Sequence, residues 1–231
     1  MSTPARFPNG ITNNTKNNVF GDLPFIDPTK FITFFDDFHR YNASDWTITT
    51  VEAGSGNATE ALTDLDGGGL VITTDNAAND TDYFQTVGEM IKPEANKKLF
   101  FKTRYKINTV ANTYHYAGLL SRTTDPQGSF QDGIFFKTDT DTQQDLRMGE
   151  ATALPNQKNN VLTWTDNTFN ELAFYYNGNG ETKFYVNGNY VWTFSTTDIP
   201  EVELCPSFGL KTSAAATRAM TIDYIFAAKE R

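Results

Sequence analysis

Paired carboxylates are the first chemistry to look for, because glycoside hydrolysis needs one carboxyl group to give a proton and another to attack or to activate water. Such groups gather on one face of a strand when acidic residues follow the pattern Glu-x-Asp-x-(x)-Glu. The segment nearest to this pattern is Glu201-Val202-Glu203, which lacks the central Asp and the third carboxylate. The sequence therefore predicts a protein that is not an enzyme, with a carboxylate pair drawn from distant segments as the less favoured alternative.

Nucleophilic catalysis would need an activated hydroxyl or thiol beside a base, and the sequence offers few candidates. It contains two histidines, His39 and His115, a single cysteine, Cys205, and no Gly-x-Ser-x-Gly motif. His39 follows two aspartates closely, which suits a surface hydrogen bond, and a lone cysteine usually behaves as a small buried apolar residue. We expect all three side chains to be structural.

Two acidic runs contain oxygen ligands of the kind that calcium prefers. Residues Asp139–Asp145 offer ligands at alternate positions before Glu150, but Gln144 stands where the sharp turn of an EF-hand loop needs glycine. The second run is predicted to be a solvated loop and comprises Asp75, Asn76, Asn79, Asp80 and Asp82. The turn Gly67-Gly68-Gly69 lacks the Lys-Ser/Thr of a phosphate-binding loop. We predict no metal and no cofactor, with a structural ion at either acidic run left open.

Exposed aromatic side chains could stack on the rings of sugars. The candidates for carbohydrate contact are Trp164, Trp192 and Tyr175, with Tyr176 next in the chain. The same residues would serve equally well in core packing or in a contact between subunits, and the sequence does not separate these roles.

Short strands separated by turn signals must position these residues. The chain holds 19 Phe and 10 Tyr, a composition that favours half-buried pleated strands. The segment Lys98–Asn108 is the longest strand candidate, and only Phe100 interrupts its polar side. Its apolar side is predicted to carry Leu99, Phe101, Thr103, Tyr105 and Ile107.

The turns between strands carry signals of their own. Asn177-Gly178-Asn179-Gly180 predicts a tight hairpin, because Asn-Gly suits a turn with positive φ. The last strand, Arg218–Lys229, is predicted to place one row on a single face, namely Met220, Ile222, Tyr224 and Phe226. Many short strands with regular turns favour an all-β fold, an antiparallel β-sandwich of the jelly-roll type over residues 31–231.

Charge and composition exclude several classes of partner. The net charge of −9 argues against binding to nucleic acid or to an anionic membrane surface. The single cysteine prevents an intrachain disulfide and indicates synthesis in a reducing compartment. We expect neither a secretory signal nor a membrane span, because no cationic segment precedes an apolar run and no apolar stretch approaches about 20 residues.

The first thirty residues differ from the rest. They contain four prolines and several asparagines, and neither strand nor helix periodicity is sustained. Large apolar residues are spaced along them, which is unusual for a disordered tail. We interpret residues 1–30 as an extended arm that becomes ordered against another surface, with a disordered tail as the alternative.

Three segments resemble the concanavalin A-like jelly roll of lectins, laminin-G-like modules and glucanases. The first is Phe34-Phe35-Asp36-Asp37-Phe38 followed by Trp46, the second is Phe184-Tyr185-Val186-Asn187-Gly188, and the third is Thr221-Ile222-Asp223-Tyr224-Ile225. They occur in the order expected for this fold. The resemblance implies a jelly roll over residues 31–231, and this scaffold hosts both enzymes and binding proteins.

The N-terminal stretch Arg6-Phe7-Pro8-Asn9-Gly10-Ile11-Thr12-Asn13 resembles the start of structural proteins of tailed bacteriophages, which include capsid decoration proteins and head fibres. The resemblance implies a virion protein, made in the cytoplasm of the bacterial host, that sits on the outer capsid surface. It would bind the major capsid protein, most plausibly as a homotrimer, through the anchoring residues Arg6, Phe7, Pro8, Asn9, Gly10 and Ile11. A lectin-like module that binds cell-surface glycans is the alternative, and a glycoside hydrolase is the less favoured one.

Overall fold

Alternation of apolar and polar residues along short segments produces a structure built from β-strands. The computed structural model describes residues 30–128, 132–140, 142–150, 156–195 and 198–231. The described strands are β1 (Phe31–Asp36), β2 (Trp46–Val51), β3 (Thr59–Leu62), β4 (Leu70–Thr73), β5 (Thr81–Thr86), β6 (Leu99–Ile107), β7 (Thr113–Leu120), β8 (Gly133–Thr140), β9 (Gln143–Gly149), β10 (Asn156–Thr163), β11 (Asn170–Tyr176), β12 (Glu181–Val186), β13 (Asn189–Ser195), β14 (Cys205–Thr212) and β15 (Ala219–Glu230). A short 3-10 helix, Ala43–Asp45, precedes β2. Within these residues no helix has the length and apolar character to cross a membrane.

The strands form two antiparallel sheets. The seven-stranded sheet has the order β10-β9-β8-β7-β14-β5-β2. The eight-stranded sheet has the order β13-β12-β11-β6-β15-β4-β3, and β1 lies beside the C-terminal half of β15. Strands β7 to β10 and β11 to β13 follow one another directly, whereas β14 and β15 each pair with strands from distant parts of the sequence, as in a jelly roll. The predicted all-β antiparallel sandwich is thereby confirmed. Of the predicted arm, residues 1–30, all but Lys30 lie outside the described residues.

The core lies between the two sheets and is largely aromatic. On the seven-stranded side the rings of Phe84 and Phe208 stack with centroids 5.1 Å apart, and Trp46 meets Phe208 edge-on at 5.2 Å. On the eight-stranded side Phe101 stacks on Phe174 at 5.1 Å. The predicted row along β6, from Leu99 through Phe101 to Ile107, is fully buried in this core. Phe100 instead belongs to a second apolar cluster on the outer face of the same sheet, which explains its break in the polar alternation.

The row predicted for the last strand is interrupted. A β-bulge between Ile222 and Tyr224 shifts the register of β15 against β6. Because an extra residue moves all later side chains to the opposite face, Ile225 and Ala227 enter the core after the bulge, and Tyr224 and Phe226 leave it. The prediction that Met220, Ile222, Tyr224 and Phe226 share one face is therefore wrong beyond Ile222.

Two strands were not predicted from the sequence because they lie at sheet edges. β3 and β10 are the end strands of their sheets, and none of their residues is fully buried. Edge strands are often polar, which protects them from pairing with other chains, so they lack apolar alternation. The predicted hairpin between β11 and β12 is present, with Gly178 and Gly180 both at positive φ.

Close approach of two strands requires a glycine in the seven-stranded sheet. Gly118 of β7 pairs with Phe135 of β8. A Cβ atom at position 118 would lie 2.3 Å from the Cβ atom of Phe135 and 2.6 Å from the carbonyl oxygen of Ile134. Backbone atoms cannot move aside without displacing a whole strand, so this position excludes any side chain.

We predict that Gly118→Ala lowers the free energy of unfolding by about 1–3 kcal/mol, the usual cost of overpacking. The matched control is Gly88→Ala, because the nearest atom to its added Cβ would be the flexible methyl of Met90 at 3.4 Å. The control is expected to stay within about 0.5 kcal/mol of the wild type. Urea unfolding of the three proteins measures both values, and equal stabilities of the two variants would contradict the close packing.

Candidate functional site

The outer face of the seven-stranded sheet carries polar and aromatic side chains in rows across the strands. In one row, each residue is the direct cross-strand partner of the next: Tyr83 (β5), Gly209 (β14), Tyr116 (β7), Lys137 (β8) and Asp145 (β9). Gly209 leaves a gap between the two tyrosines, whose rings meet edge-on with centroids 5.6 Å apart. This row comes from five separate strands, so the fold alone brings its members together.

A connection between strands covers the middle of this face. Its described part, residues 121–128, runs from the end of β7 over β14 towards β5. There the amide of Thr123 donates to Oε1 of Gln85 at 2.9 Å, and the Arg122 guanidinium donates to the carbonyl oxygens of Thr86 and Val87. The same face carries a third apolar cluster, which is almost fully buried and comprises Tyr83, Tyr116, Leu120 and Phe135. The centre of the face is thus closed to a ligand, and access is left beside the connection.

An ion pair lies at one side of the row. Nη2 of Arg147 is 3.1 Å from Oδ2 of Asp145, and both side chains are nearly inaccessible to solvent. The amide of Asn160 donates to the other carboxylate oxygen of Asp145 at 2.8 Å. Burial raises the pKa of Asp145 and lowers the pKa of Arg147. The Asp145 carboxylate is engaged in these contacts, so it does not provide the free acid or base that glycoside hydrolysis needs.

Beside the connection lies an open depression of about 310 Å³ that we call the basic depression. It is lined by Asn79, Tyr114, Gln127, Lys137, Thr138, Lys211 and Ser213. Tyr114 and Lys211 face each other as direct cross-strand partners on β7 and β14. Lys137 approaches from β8 and donates from Nζ to the carbonyl oxygen of Gln127 at 2.8 Å. Burial lowers the pKa of Lys137, and the nearby charge of Arg147 lowers it further, against opposing effects of Asp125 and Asp145.

A second depression, of about 340 Å³, contains two carboxylates at one end of the sandwich. Glu94 and Glu201 both line it, together with Tyr176. Oε2 of Glu94 lies 2.6 Å from Nζ of Lys229, and the hydrogen bond to that lysine lowers the pKa of Glu94. A general acid needs a raised pKa, so Glu94 is not suited to that role. The segment Glu201-Val202-Glu203 precedes β14 in a connection and does not form a strand face.

The acidic runs are used by the fold itself. Asp80 accepts hydrogen bonds from the amides of Ala53 and Ala77, and Asp75 accepts one from Gly56. Asp82 is buried, and burial raises its pKa to about 8, so its carboxyl is mostly protonated near neutral pH. The side chains of Asp139 and Asp141 lie outside the described residues. Among the residues that the structure describes, no group of three His, Cys, Asp or Glu could hold a metal ion.

The candidate carbohydrate contacts lie in three separate places. Trp164 is 4% exposed, stacks on Tyr105 at 4.8 Å and donates from its indole nitrogen to Gln144, so its ring is part of the core. Tyr175 is 8% exposed and belongs to the cluster on the outer face of the eight-stranded sheet. Trp192 is 38% exposed on the end strand β13, where Nζ of Lys158 lies 4.8 Å from its ring. The three rings do not form one sugar-binding surface.

The anchoring residues Arg6, Phe7, Pro8, Asn9, Gly10 and Ile11 lie outside the described residues. The histidines are described and differ from each other. Nδ1 of His39 lies 2.6 Å from Oδ1 of Asp37 at the exposed surface. His115 is buried between the sheets, where Nδ1 is 3.0 Å from the Tyr105 hydroxyl and the ring meets Trp164 edge-on at 4.6 Å. Cys205 is buried, and burial raises its pKa to about 11, so it remains a thiol.

Residue types and spacing alone do not single out Tyr114, Lys137 and Lys211, which line the basic depression. Each lies on a different strand, and the strands are separated by up to about one hundred residues in sequence. One signal was present in the sequence: an apolar residue, Phe135, and a charged residue, Lys137, lie on the same face of β8. It shows that this face is not wholly apolar, but it does not show which strands lie next to it.

Comparison with known proteins identifies the architecture. No family model matches the chain, and no curated protein matches it. A solved protein of unknown function from Shewanella oneidensis matches with a TM-score of 0.60 at 13% identity, covering 87% of each chain. An endo-β-1,4-glucuronan lyase from Trichoderma reesei matches with a TM-score of 0.59 at 10% identity, covering 84% of this chain and 94% of the lyase. An endo-1,3-β-glucanase from Streptomyces sioyaensis matches with a TM-score of 0.61 at 16% identity, covering 88% of this chain and 98% of the glucanase.

These similarities show that the chain has the concanavalin A-like jelly-roll fold. They also contradict the prediction that the protein is not an enzyme, because the lyase and the glucanase are built on this architecture. That prediction rested on the absence of an acidic motif within one strand. On this fold a site is assembled from several strands, as the row from Tyr83 to Asp145 shows, so the absence of a local motif does not exclude catalysis.

The buried histidine generates a prediction about acid stability. Burial lowers the pKa of His115 to about 3, whereas an unfolded histidine has a pKa of about 6.5. Between these values the unfolded state binds a proton that the folded state does not, so stability falls as the pH falls below about 6.5. We predict that His115→Phe removes this loss, which reaches about 1.4 kcal/mol per pH unit between pH 6 and pH 4.

Urea unfolding at several pH values measures the slope of stability against pH. His39→Gln is the control for removing an imidazole from the surface instead of the core. Comparing slopes, instead of stabilities at one pH, removes any loss of unfolding free energy on replacing His115 that does not depend on pH. Identical slopes for the wild type and His115→Phe would show that His115 is charged in the folded protein.

Proposed function

We propose that this protein recognises glycan chains through the outer face of its seven-stranded sheet, at the basic depression beside residues 121–128. The observation that carries the proposal is the convergence of Tyr114, Lys137 and Lys211 from three strands on one open depression. The fold supports it, because the same architecture occurs in proteins named as a glucuronan lyase and a glucanase.

The lining of the depression suits a sugar. A tyrosine ring offers an apolar surface for the C–H groups of a pyranose, and its hydroxyl can exchange hydrogen bonds with the sugar. Amide, hydroxyl and ammonium groups surround Tyr114 and supply the directional contacts that fix orientation in a binding site, from Asn79, Gln127 and Ser213 as well as the two lysines. The volume of about 310 Å³ is at the lower end of the range for small-molecule sites, about 300–1,000 Å³.

Binding of a glycan and cleavage of a glycan make different demands on such a site. The two carboxylates nearest to a glycosidase role are both ion-paired, Asp145 with Arg147 and Glu94 with Lys229. A panel of polysaccharides should therefore be tested for binding and for cleavage by hydrolysis or elimination in the same experiment.

We predict that Tyr114→Ala weakens glycan binding at least tenfold, because it removes the only aromatic ring that lines the basic depression within the described residues. The matched control is Tyr190→Ala, since Tyr190 is 58% exposed on β13, in the other sheet. A glycan array identifies a ligand, and calorimetry then compares the three proteins. Failure of the wild type to bind any glycan, or an equal loss in both variants, would refute the proposal.

A second candidate function concerns the N-terminal thirty residues. The described body begins at β1, which pairs with β15 on one side, and the amide of Arg231 donates to the carbonyl oxygen of Lys30. The residues before Lys30 are therefore attached to β1. Among the described residues, β1 pairs with β15 and with no second strand. This position supports the proposal that residues 6–11 attach the jelly roll to the major capsid protein of a tailed phage, with glycan binding on the exposed surface of the virion. Attachment of a homotrimer would strengthen weak single contacts.

We predict that deletion of residues 1–29 abolishes binding to undecorated capsids and leaves the jelly roll folded. Co-sedimentation with capsids measures the first effect, and circular dichroism with urea unfolding measures the second. Substitution of Phe7 and Ile11 by serine in the full-length chain provides a milder variant that should also lose binding. Undiminished binding of the deleted protein would remove the attachment role.

A further inference from the structure

We propose that residues 47–62, which include the end strands β2 and β3, form a pH-sensitive latch that a protonated Asp82 keeps closed and an ionised Asp82 opens. Asp82 lies on β5, and its side chain is 0% exposed. Within the part of the chain that the structure describes, neither of its carboxylate oxygens has a hydrogen-bond partner. A charged carboxylate buried without a partner is far more costly than a neutral carboxyl group. The closed sandwich therefore favours the protonated form of Asp82.

The register of the seven-stranded sheet directs Asp82 into the interior. Its side chain shares a face of β5 with the core residue Phe84, two positions along the strand. Its cross-strand partners are Thr50 of β2 and Leu210 of β14, and Leu210 in turn pairs with His115 of β7. Thr50 and Leu210 do not titrate in this pH range. Burial lowers the pKa of His115 to about 3, so above pH 6.5 this row supplies no positive charge to Asp82.

The facing sheet adds negative charge at the same end of the sandwich. Glu60 of β3 is the direct partner of Ile72, which lies in the core, so the Glu60 side chain also points between the sheets. Ile72 pairs next with Met220 of β15, and neither of these two residues titrates. Burial is the main cause of the raised pKa of Asp82, and the negative charges of Glu60 and Glu52 raise it further.

Glu52 and Tyr41 complete this end of the interior. Oε1 of Glu52 accepts the amide of Ala58 at 2.6 Å, which joins the end of β2 to the start of β3. Oε2 of Glu52 and the Tyr41 hydroxyl are buried and, among the described residues, have no hydrogen-bond partner. Burial, followed by the charges of Glu60 and Asp82, raises the pKa of Tyr41. Three carboxyl groups and a hydroxyl therefore act on one another in a poorly hydrated space.

The strands around Asp82 are held unequally. β5 lies between β2 and β14, whereas β2 and β3 are the end strands of their sheets. Val51 at the end of β2 and Leu62 at the end of β3 are half exposed, and beyond β2 the amide of Ala53 donates to Oδ1 of Asp80. Segments with few buried contacts open at a lower free energy than the core. Water therefore reaches an ionised Asp82 by displacement of residues 47–62, while β5 stays in its sheet.

The pH range of the latch follows from two values of the Asp82 pKa. It is about 8 in the closed sandwich, and its ordinary value is 3.8 in a state open to water. Between these values the closed state binds a proton that the open state does not, so the closed state is favoured at low pH and loses that advantage as the pH rises to about 8. The effect is opposite in sign to that of His115, which no longer titrates above about pH 6.5.

Hydrogen exchange of backbone amides in the full-length protein at pH 6.5 and pH 8.0, corrected for the intrinsic pH dependence of exchange, tests the latch. We expect residues 47–62 to be less protected than β6 and β11, because they open locally. Their opening constant should rise about tenfold between the two pH values, as the two values of the Asp82 pKa require. β13 is an internal control, since it ends the same sheet as β3 on the opposite side, and its local opening constant should change less than twofold.

Three variants identify the group responsible. Asp82→Asn keeps the shape of the side chain and cannot ionise, so its opening constant for residues 47–62 should be equal at the two pH values. Glu60→Gln, on an end strand, removes one negative charge that faces Asp82, so the rise should be smaller than in the wild type, and this variant tests the latch even if Asp82→Asn does not fold. The matched control is Glu203→Gln in the exposed connection before β14, which should keep the rise of the wild type.

An opening constant of residues 47–62 that is the same at both pH values in the wild type would overturn the latch. The full rise in Asp82→Asn would overturn it as well, because another group would then be titrating. Protection of residues 47–62 equal to that of β6 and β11 would also overturn it, because the protein would then open only by unfolding as a whole.

Discussion

Packing of aromatic rings between the two sheets is the interaction on which the rest of the structure depends. Phe84, Phe208 and Trp46 from one sheet, and Phe101 and Phe174 from the other, fill the interior with large apolar surfaces. Aromatic side chains bury more area than any others, so a few of them supply much of the free energy that holds two sheets together. The chain has no disulfide within this core, since its one cysteine is buried as a free thiol. Because the core fixes which side chains of each strand point inward, it also fixes which ones point outward, and these outward positions can be polar.

The candidate site follows from that register and from two glycines. Gly209 and Gly118 stand on the outer face of the seven-stranded sheet and make room for the rings of Tyr83, Tyr116 and Phe135. These rings are almost fully buried, so the centre of the face is closed, and residues 121–128 are bonded beside it to Gln85 of β5. The open part of the face is consequently displaced to the basic depression at the side. Selectivity for a ligand would then depend on a few side chains that the rigid sheet holds in position.

The sequence predicted the architecture because the interior strands alternate clearly. The row along β6 and the hairpin after β11 were both apparent from residue types alone. The edge strands β3 and β10 were missed because exposed strands lack that alternation, and the bulge in β15 was missed because its effect is on register and not on composition. The site was missed for a related reason: Tyr114, Lys137 and Lys211 become neighbours only through strand order. Trp164 shows the reverse case, since a residue suited to stacking on sugars is used in the core.

The position of β15 has a consequence for how the protein acquires its shape. This strand, formed by residues 219–230, lies between β6 on one side and both β4 and β1 on the other. The eight-stranded sheet therefore lacks a central member until residues 219–230 are available for pairing. Strands made earlier must wait with unpaired edges, and pairings between such distant segments form slowly. Assembly of this sheet therefore waits for residues 219–230, which join two halves that are not paired to each other.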